Sequence, residues 1–225
     1  MEEGLKSQIL ENIQEDVSIG FYSHEDIYER VWDLFTYDGF TIEPSWLSSV
    51  VSNEMKLHEN RSLEWSEPTD FQKLVKAFNS LRKLGVVSCL HHAGFTKQDG
   101  DYDCCVLLEE LSDLGYLLKG YCFYNEQDIT GVIDNMGTLH IGFYSKESNE
   151  QEAIIIGQLI IKELQAVGFE TSWNNSVDQR IAINNFLWQK TYDGTDYNLE
   201  EGNSYPKQEV ELKPKDRQKP FWKFW

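Results

Sequence analysis

The residues of this sequence best suited to chemistry lie in the stretch LHHAGFTKQDGDYDCC, which starts at residue 90. Two adjacent histidines, His91 and His92, precede two adjacent cysteines, Cys104 and Cys105, with acidic residues between the two pairs. Imidazole, thiolate and carboxylate groups bind transition metals, and a cysteine beside an imidazolium becomes a nucleophile. The stretch therefore suggests a metal site, a Cys/His catalytic pair or an ordinary surface loop.

We favour the ordinary loop. Neighbouring residues of a strand point to opposite faces, so adjacent histidines or adjacent cysteines do not easily reach one ion. The ligand types in this stretch are His91, His92, Asp99, Cys104 and Cys105. Any two of them could still bind a metal ion together with a ligand from elsewhere in the chain, so that alternative stays open. For catalysis, closeness of His92 and Cys104 in the sequence does not place them together in space, and no cysteine-hydrolase signature surrounds either. Reduced, buried thiols are expected for Cys89, Cys104, Cys105 and Cys122.

A second polar cluster, the tetrapeptide NEQD, follows a predicted strand and opens a predicted helix. Polar side chains at such a place can converge in a cleft. Glu126, Gln127 and Asp128 are therefore candidate cleft residues, and His140 on the next strand could join them as an acid or a base. The simpler interpretation, which we favour, is that Asp128 is the N-cap of a helix that begins at Ile129.

A third candidate site is the aromatic tail, FWKFW. From Lys213 onward five basic residues against one aspartate give +4, whereas the whole sequence carries −18, which leaves −22 before the tail. Aromatic side chains anchor in a partner's groove and lysines steer toward acidic surfaces. The tail could bind a partner, fold back on its own acidic body, touch an anionic membrane or stay disordered. We favour a binding role, in cis or in trans, for Phe221, Trp222, Phe224 and Trp225.

Composition indicates a globular protein. The sequence has 225 residues, of which 40% are hydrophobic and 13% aromatic, which is enough for a sizeable core. A net charge of −18 argues against nucleic-acid binding through phosphates and favours basic partners. The first residues are acidic where a signal peptide is basic, and no apolar run approaches the roughly 18 residues of a membrane helix. We expect a cytoplasmic protein and do not favour membrane association.

Hydrophobic periodicity divides the chain into three regions. Residues 1–85 are predicted to be helical, because apolar residues recur at intervals of three and four up to the helix stop at Gly85. In residues 86–192 the predicted order is β, α, β, α, β, α, β, β. Residues 193–225 are predicted to be a flexible linker and the basic-aromatic tail. We expect an α+β fold, with a helical N-terminal part followed by a mostly antiparallel sheet with packed helices and a flexible C-terminal tail. Residues 1–85 and 86–192 are expected to form one domain.

Several short motifs resemble a known family by their order and spacing: Trp65, Thr69 and Asp70 before an amphipathic helix, Gln127 and Asp128 at a strand end, and Gly168 and Trp173 around a late strand. Together they resemble the bacterial domain-of-unknown-function family number 6891, from about residue 10 to about residue 190. The resemblance implies a fold shared among bacterial cytoplasmic proteins and no particular activity. It also implies a segment similar to half a zinc ribbon, but here only Cys89, His91 and His92 remain, so the sequence departs from that pattern.

These observations favour a non-enzymatic protein-interaction factor, of an immunity or antitoxin kind, whose acidic body masks a basic protein partner. The alternative is an enzyme or small-ligand-binding protein that uses the strand-end cleft. The two differ in whether the cleft side chains converge on an open pocket, or whether Asp128 only caps its helix and His140 faces the core. We predict no cofactor.

Overall fold

The computed structural model describes residues 2–89, 93–197 and 205–207, with the side chains of Asn135 and Met136 left out. A helical segment precedes a sheet whose strands alternate with further helices, as the sequence predicts. The α-helices are α1 (Glu3–Ile19), α2 (His24–Tyr37), α3 (Pro44–Ser62), α4 (Asp70–Lys83), α5 (Lys97–Asp113), α6 (Glu126–Gly131) and α7 (Glu150–Ala166). The strands are β1 (Val86–Cys89), β2 (Gly120–Phe123), β3 (Thr138–Ser145), β4 (Glu170–Ser172) and β5 (Ile181–Asn184). A π-helical turn, Val132–Met136, joins α6 to β3.

Local signals in the sequence set the ends of the helices. Ser23 begins α2 with a reciprocal capping box, in which its hydroxyl accepts a hydrogen bond from the Asp26 N–H and the Asp26 carboxylate accepts one from the Ser23 N–H. Pro44 occupies the first turn of α3, where its missing N–H costs nothing. Gly85 follows α4 with a φ of +85° and turns the chain into β1.

The strands form one sheet in the order β1-β2-β3-β5-β4. The β1–β2 pair is parallel, and the other three pairs are antiparallel, which confirms the predicted α+β fold with a mostly antiparallel sheet. In this register His140 of β3 lies opposite Ala182 of β5, and Ala182 lies opposite Ser172 of β4. These three residues therefore form one row across the sheet.

Helices cover the sheet on both sides. Helices α4 and α7 pack against it through the largest core cluster, which includes Leu74, Phe78 and Ile160. Helix α5 packs against β1 and β2 through a second cluster that contains Cys104 and Phe123. Helices α1 to α3 share a third apolar cluster.

The helical N-terminal part is attached to the sheet region by the segment after β5. The Trp188 indole donates a hydrogen bond to the Ile19 carbonyl over 3.1 Å, and His58 Nε2 donates one to the Lys190 carbonyl over 2.9 Å. Gly20, with a φ of +76°, lies so close to this segment that an added Cβ would be 2.4 Å from the Lys190 oxygen. The two parts therefore contact each other directly through this segment.

The described parts of the predicted linker also pack against residues of these two regions. The ring of Tyr197 contacts Phe71 edge-on at 5.2 Å, and its carbonyl accepts a hydrogen bond from Arg82 over 2.9 Å. Tyr205 is buried against Tyr116, with ring centres 6.0 Å apart. The tail residues Phe221, Trp222, Phe224 and Trp225, and the histidines at 91 and 92, lie outside the described residues.

Candidate binding sites

Asp128 and His140, both predicted as cleft residues, lie close together in the structure. Asp128 Oδ1 is 4.0 Å from His140 Nδ1, and its other oxygen accepts a hydrogen bond from Arg180 Nη1 over 2.7 Å. The carboxylate of Asp128 is buried, whereas the His140 side chain is 43% exposed. His140 therefore does not face the packed core.

Asp128 does help to cap α6, but in a different role from the predicted one. The N-cap is Asn125, and the helix begins at Glu126, three residues before the predicted start at Ile129. The Asn125 side chain accepts a hydrogen bond from the Asp128 N–H over 2.9 Å, and the Asp128 carboxylate accepts one from the Asn125 N–H over 3.1 Å. This is a capping box with Asp128 at the third helical position, and it forms because each residue satisfies the other's backbone donor.

His140 and Arg180 line an open groove of about 610 Å³ at the β3–β5–β4 part of the sheet. Ala182 and Ser172, which share a row with His140, also line it, as do Trp173, Asn174 and Gln179 at the end of β4 and the turn that follows. The Trp173 indole is fixed by hydrogen bonds to the carbonyls of Ser176 and Gln179. The groove therefore has a fixed wall and two basic residues.

The charges at this groove are better suited to binding a ligand than to proton transfer by the Asp128 carboxylate. Burial, with a smaller contribution from the nearby Arg180 guanidinium, lowers the pKa of His140 below its ordinary value. The imidazole is therefore neutral at pH 7 and can donate or accept a hydrogen bond. Asp128 is engaged by Arg180 and by the capping box, which leaves the guanidinium and the imidazole as the ionisable groups among the residues that line the groove.

Glu126 and Gln127, the other predicted cleft residues, do not line the groove. Glu126 accepts a hydrogen bond from the Tyr22 hydroxyl over 2.8 Å and pairs with Arg30 of α2 over 3.2 Å. Arg30 also pairs with the buried carboxylate of Asp16. Gln127 is exposed on α6. Glu126 thus joins α6 to the N-terminal helices, and its role in the fold is structural.

In the described part of the His/Cys stretch, residues 97–105 lie in α5. Cys104 lies inside α5 with its sulfur 3.3 Å from that of Cys89, and both thiols are buried. Burial raises the pKa of Cys104 well above its ordinary value, so it is a poor nucleophile. Cys105, by contrast, is exposed, against the expectation of burial, because the next residue of a helix points about 100° away. Within the described part of the chain, no three His, Cys, Asp or Glu residues are arranged to hold a metal ion.

The solvent-facing side of α5 is a second candidate site. We call it the α5 outer face and define it by its exposed side chains: Asp99, Tyr102, Asp103, Val106, Glu109, Glu110 and Asp113. Tyr102 and Val106 are one helical turn apart, with exposures of 70% and 37%. The only ion pair found on this helix among the described residues joins Lys97 to Asp101. The result is a small apolar centre bordered by acidic side chains.

Three buried or half-buried basic residues have structural roles that the sequence did not reveal. Arg180 pairs with Asp128, which lies 52 positions earlier. Arg82 is fully buried and donates to the carbonyls of Ser88 and Tyr197. Lys190 is also buried, with its Nζ atom about 5 Å from the rings of Phe21, Phe71 and Tyr197. Each role includes a contact between segments that are far apart in the sequence, so no local pattern signals it.

A family model described as a domain of unknown function (DUF6891) matches residues 2–192. The chain belongs to the DUF6891 family. The match includes the groove, α5 and the Lys190 segment, while the aromatic tail lies beyond it. No curated protein and no solved structure is significantly similar to the chain. Across the part of this DUF6891 member that the structure describes, every helix is too short or too polar to cross a membrane.

Proposed function

We propose that this DUF6891 protein is a non-enzymatic interaction factor whose α5 outer face binds a protein partner with a basic surface. The observation that carries the proposal is that this face combines carboxylates without an ion pair with the exposed side chains of Tyr102 and Val106. The buried carboxylates of Asp16 and Asp128 are each paired with an arginine. On the α5 outer face, Glu109, Glu110 and Asp113 have no ion pair with any described lysine or arginine.

Unpaired surface carboxylates create a negative potential that attracts a basic partner and speeds its association. The exposed Tyr102 and Val106 add an apolar centre, and a tyrosine with an acidic border is a suitable anchor for a partner's lysines and aromatic side chains. The net charge of the whole chain, −18, also attracts a basic partner, and it does so over a longer range. Masking a basic protein in this way is the chemistry expected of an immunity or antitoxin-like factor.

The free thiols fit a reducing compartment, and we propose the cytoplasm as the place of action. Cys89 and Cys104 are both free although their sulfur atoms are only 3.3 Å apart. A pair of thiols so close together is retained most easily where thiols are kept reduced.

The test is affinity purification from native cells with the full chain, tagged at its N-terminus. A variant with the substitutions Glu109→Lys, Glu110→Lys and Asp113→Lys, the α5 variant, reverses the charge of the proposed surface. A control variant with Glu11→Lys, Glu29→Lys and Asp33→Lys makes the same charge change on exposed residues of α1 and α2.

The proposal predicts that one basic protein is retained by the wild type and by the control variant and is lost with the α5 variant. Equal retention by all three chains would contradict it, because binding would then not depend on α5. Loss with both variants would also contradict it, since net charge alone would explain the binding.

A second candidate function is supported by the groove at His140 and Arg180. A guanidinium held in place by Asp128 and a neutral imidazole beside it suit a small carboxylate or phosphate ligand. Nuclear magnetic resonance titration with inorganic phosphate and with acetate tests this function. Saturable shifts of the Arg180 and His140 signals, with the His140 shift lost in an Arg180→Gln variant, would support it, and unchanged signals at high ligand concentration would exclude those two ligands.

A further inference from the structure

We propose that the segment Lys213–Trp225 of this same chain docks in cis on the α5 outer face. This inference rests on the proposed function in one respect, namely that both assign binding to the same surface. It adds a regulatory step, because a docked tail covers the surface that a basic partner would need.

The structure places residues 205–207, which precede the tail in the sequence, next to the C-terminal end of α5. The Leu117 N–H donates a hydrogen bond to the Pro206 carbonyl over 2.7 Å, and Tyr116 forms an isolated bridge with Lys207. The Lys207 ammonium also lies 4.3 Å from the centre of the Tyr116 ring. Tyr116 comes only three residues after the last residue of α5, Asp113. The chain therefore leaves the described body at the C-terminal end of this helix.

The length of the remaining chain is sufficient to cover α5. An extended chain spans about 3.3 Å per residue, so the segment from 208 to 225 can reach about 60 Å. Helix α5 has 17 residues and is about 25 Å long. The tail can thus run back along the whole helix with slack. A tether of this kind also holds the tail at a millimolar-range effective concentration near the surface.

The chemistry of the tail matches that of the α5 outer face. Its lysines and arginine, with a net charge of +4 from Lys213 onward, complement Asp103, Glu109, Glu110 and Asp113. Its four aromatic side chains complement the exposed Tyr102 and Val106, which offer a flat apolar contact. Ionic and apolar contacts of one short segment can therefore be made on one helix face.

Paramagnetic relaxation enhancement in the full chain tests the inference. Lys219→Cys in a Cys105→Ser background provides a single exposed site for a nitroxide spin label, because the other three cysteines are buried. The inference predicts loss of amide peak intensity concentrated on α5, and recovery of that intensity on addition of the E109K, E110K and D113K substitutions. The matched E11K, E29K and D33K substitutions should leave the loss unchanged.

A mixed sample of isotope-labelled chains without the nitroxide and unlabelled chains with it separates cis from trans docking. Intensity loss on α5 in that sample would overturn the inference in favour of a second copy as the occupant. Uniform loss over the whole surface, or loss centred on another element, would also overturn it. This experiment uses the chain alone, so its failure is distinct from failure of the partner-binding proposal, which the affinity purification measures.

Discussion

Oδ2 of Asp128 accepts a hydrogen bond from Nη1 of Arg180 over 2.7 Å, and this contact joins the start of α6 to the start of β5. The same oxygen accepts a hydrogen bond from the Asn125 N–H. One buried carboxylate therefore completes a helix cap and fixes the position of a guanidinium at the edge of the groove.

Arg180→Ala should destabilise the protein because it leaves the buried Asp128 carboxylate without its cation. Removing one partner of a buried ion pair costs about 3 kcal/mol, and the partial exposure of Arg180 places this pair at the lower end. Urea denaturation measures the change in the free energy of unfolding. Arg61→Ala, on the exposed surface of α3, is the control and should change it by about 0.5 kcal/mol or less. Equal effects of the two substitutions would show that the Asp128 pair is not structural.

Lys190→Ala should destabilise the protein by about 2 to 4 kcal/mol, because it leaves a cavity among Phe21, Phe71 and Tyr197. Lys190→Met should cost less, since methionine refills the space without a buried charge. Burial already lowers the pKa of Lys190, which shows that its charged form is disfavoured there. Urea denaturation measures the free energy of unfolding of both variants. Lys162→Ala, at an exposed position of α7, is the control. A larger cost for methionine than for alanine would contradict the packing role.

The free energy of unfolding should decrease as the pH falls from about 7.5 to about 5.5. Burial lowers the pKa of both His58 and His140 in the folded protein. The unfolded chain therefore binds more protons than the folded chain over this range, and acid favours unfolding. Replacing His58 with Gln should reduce the slope of stability against pH, as measured by urea denaturation across the range. An unchanged slope in both His58→Gln and His140→Gln would contradict the assignment.

Gly157→Ala should destabilise the protein although alanine is the better helix former. A Cβ at position 157 of α7 would lie 2.5 Å from the Trp173 ring, which packs edge-on against Phe143. The ring must move, so tryptophan fluorescence should change together with the midpoint of thermal unfolding. Gly4→Ala in α1 has nothing within 4 Å of the added carbon and should be neutral or stabilising. A stabilising Gly157→Ala would show that the ring is loosely packed.

Much of the fold could be predicted from the sequence because it depends on local signals. Hydrophobic periodicity predicted α4, α7 and β3, and Gly85 marked the end of a helix. The start of α6 was misplaced because Asn125 and Asp128 are both good capping residues three positions apart, and the reciprocal capping box uses both.

The candidate site was less predictable because it depends on tertiary contacts. His140 is partly exposed because the helices leave its part of the sheet uncovered. The alternation of apolar and polar residues along β3 does not predict which part of the sheet the helices cover. Nothing near Arg180 in the sequence points to Asp128, and a lysine such as Lys190 is normally read as an exposed residue.

The most direct test of the central claim is a resonance titration of the full wild-type chain with an oligolysine peptide. Because the peptide must displace the docked tail, we predict saturable shifts that are concentrated on α5 amides, weaken at higher salt and disappear with the Glu109→Lys, Glu110→Lys and Asp113→Lys substitutions. The Glu11→Lys, Glu29→Lys and Asp33→Lys control should retain them. Shifts spread evenly over the acidic surface, or centred on the groove at Arg180, would contradict the claim that the α5 outer face is the binding surface.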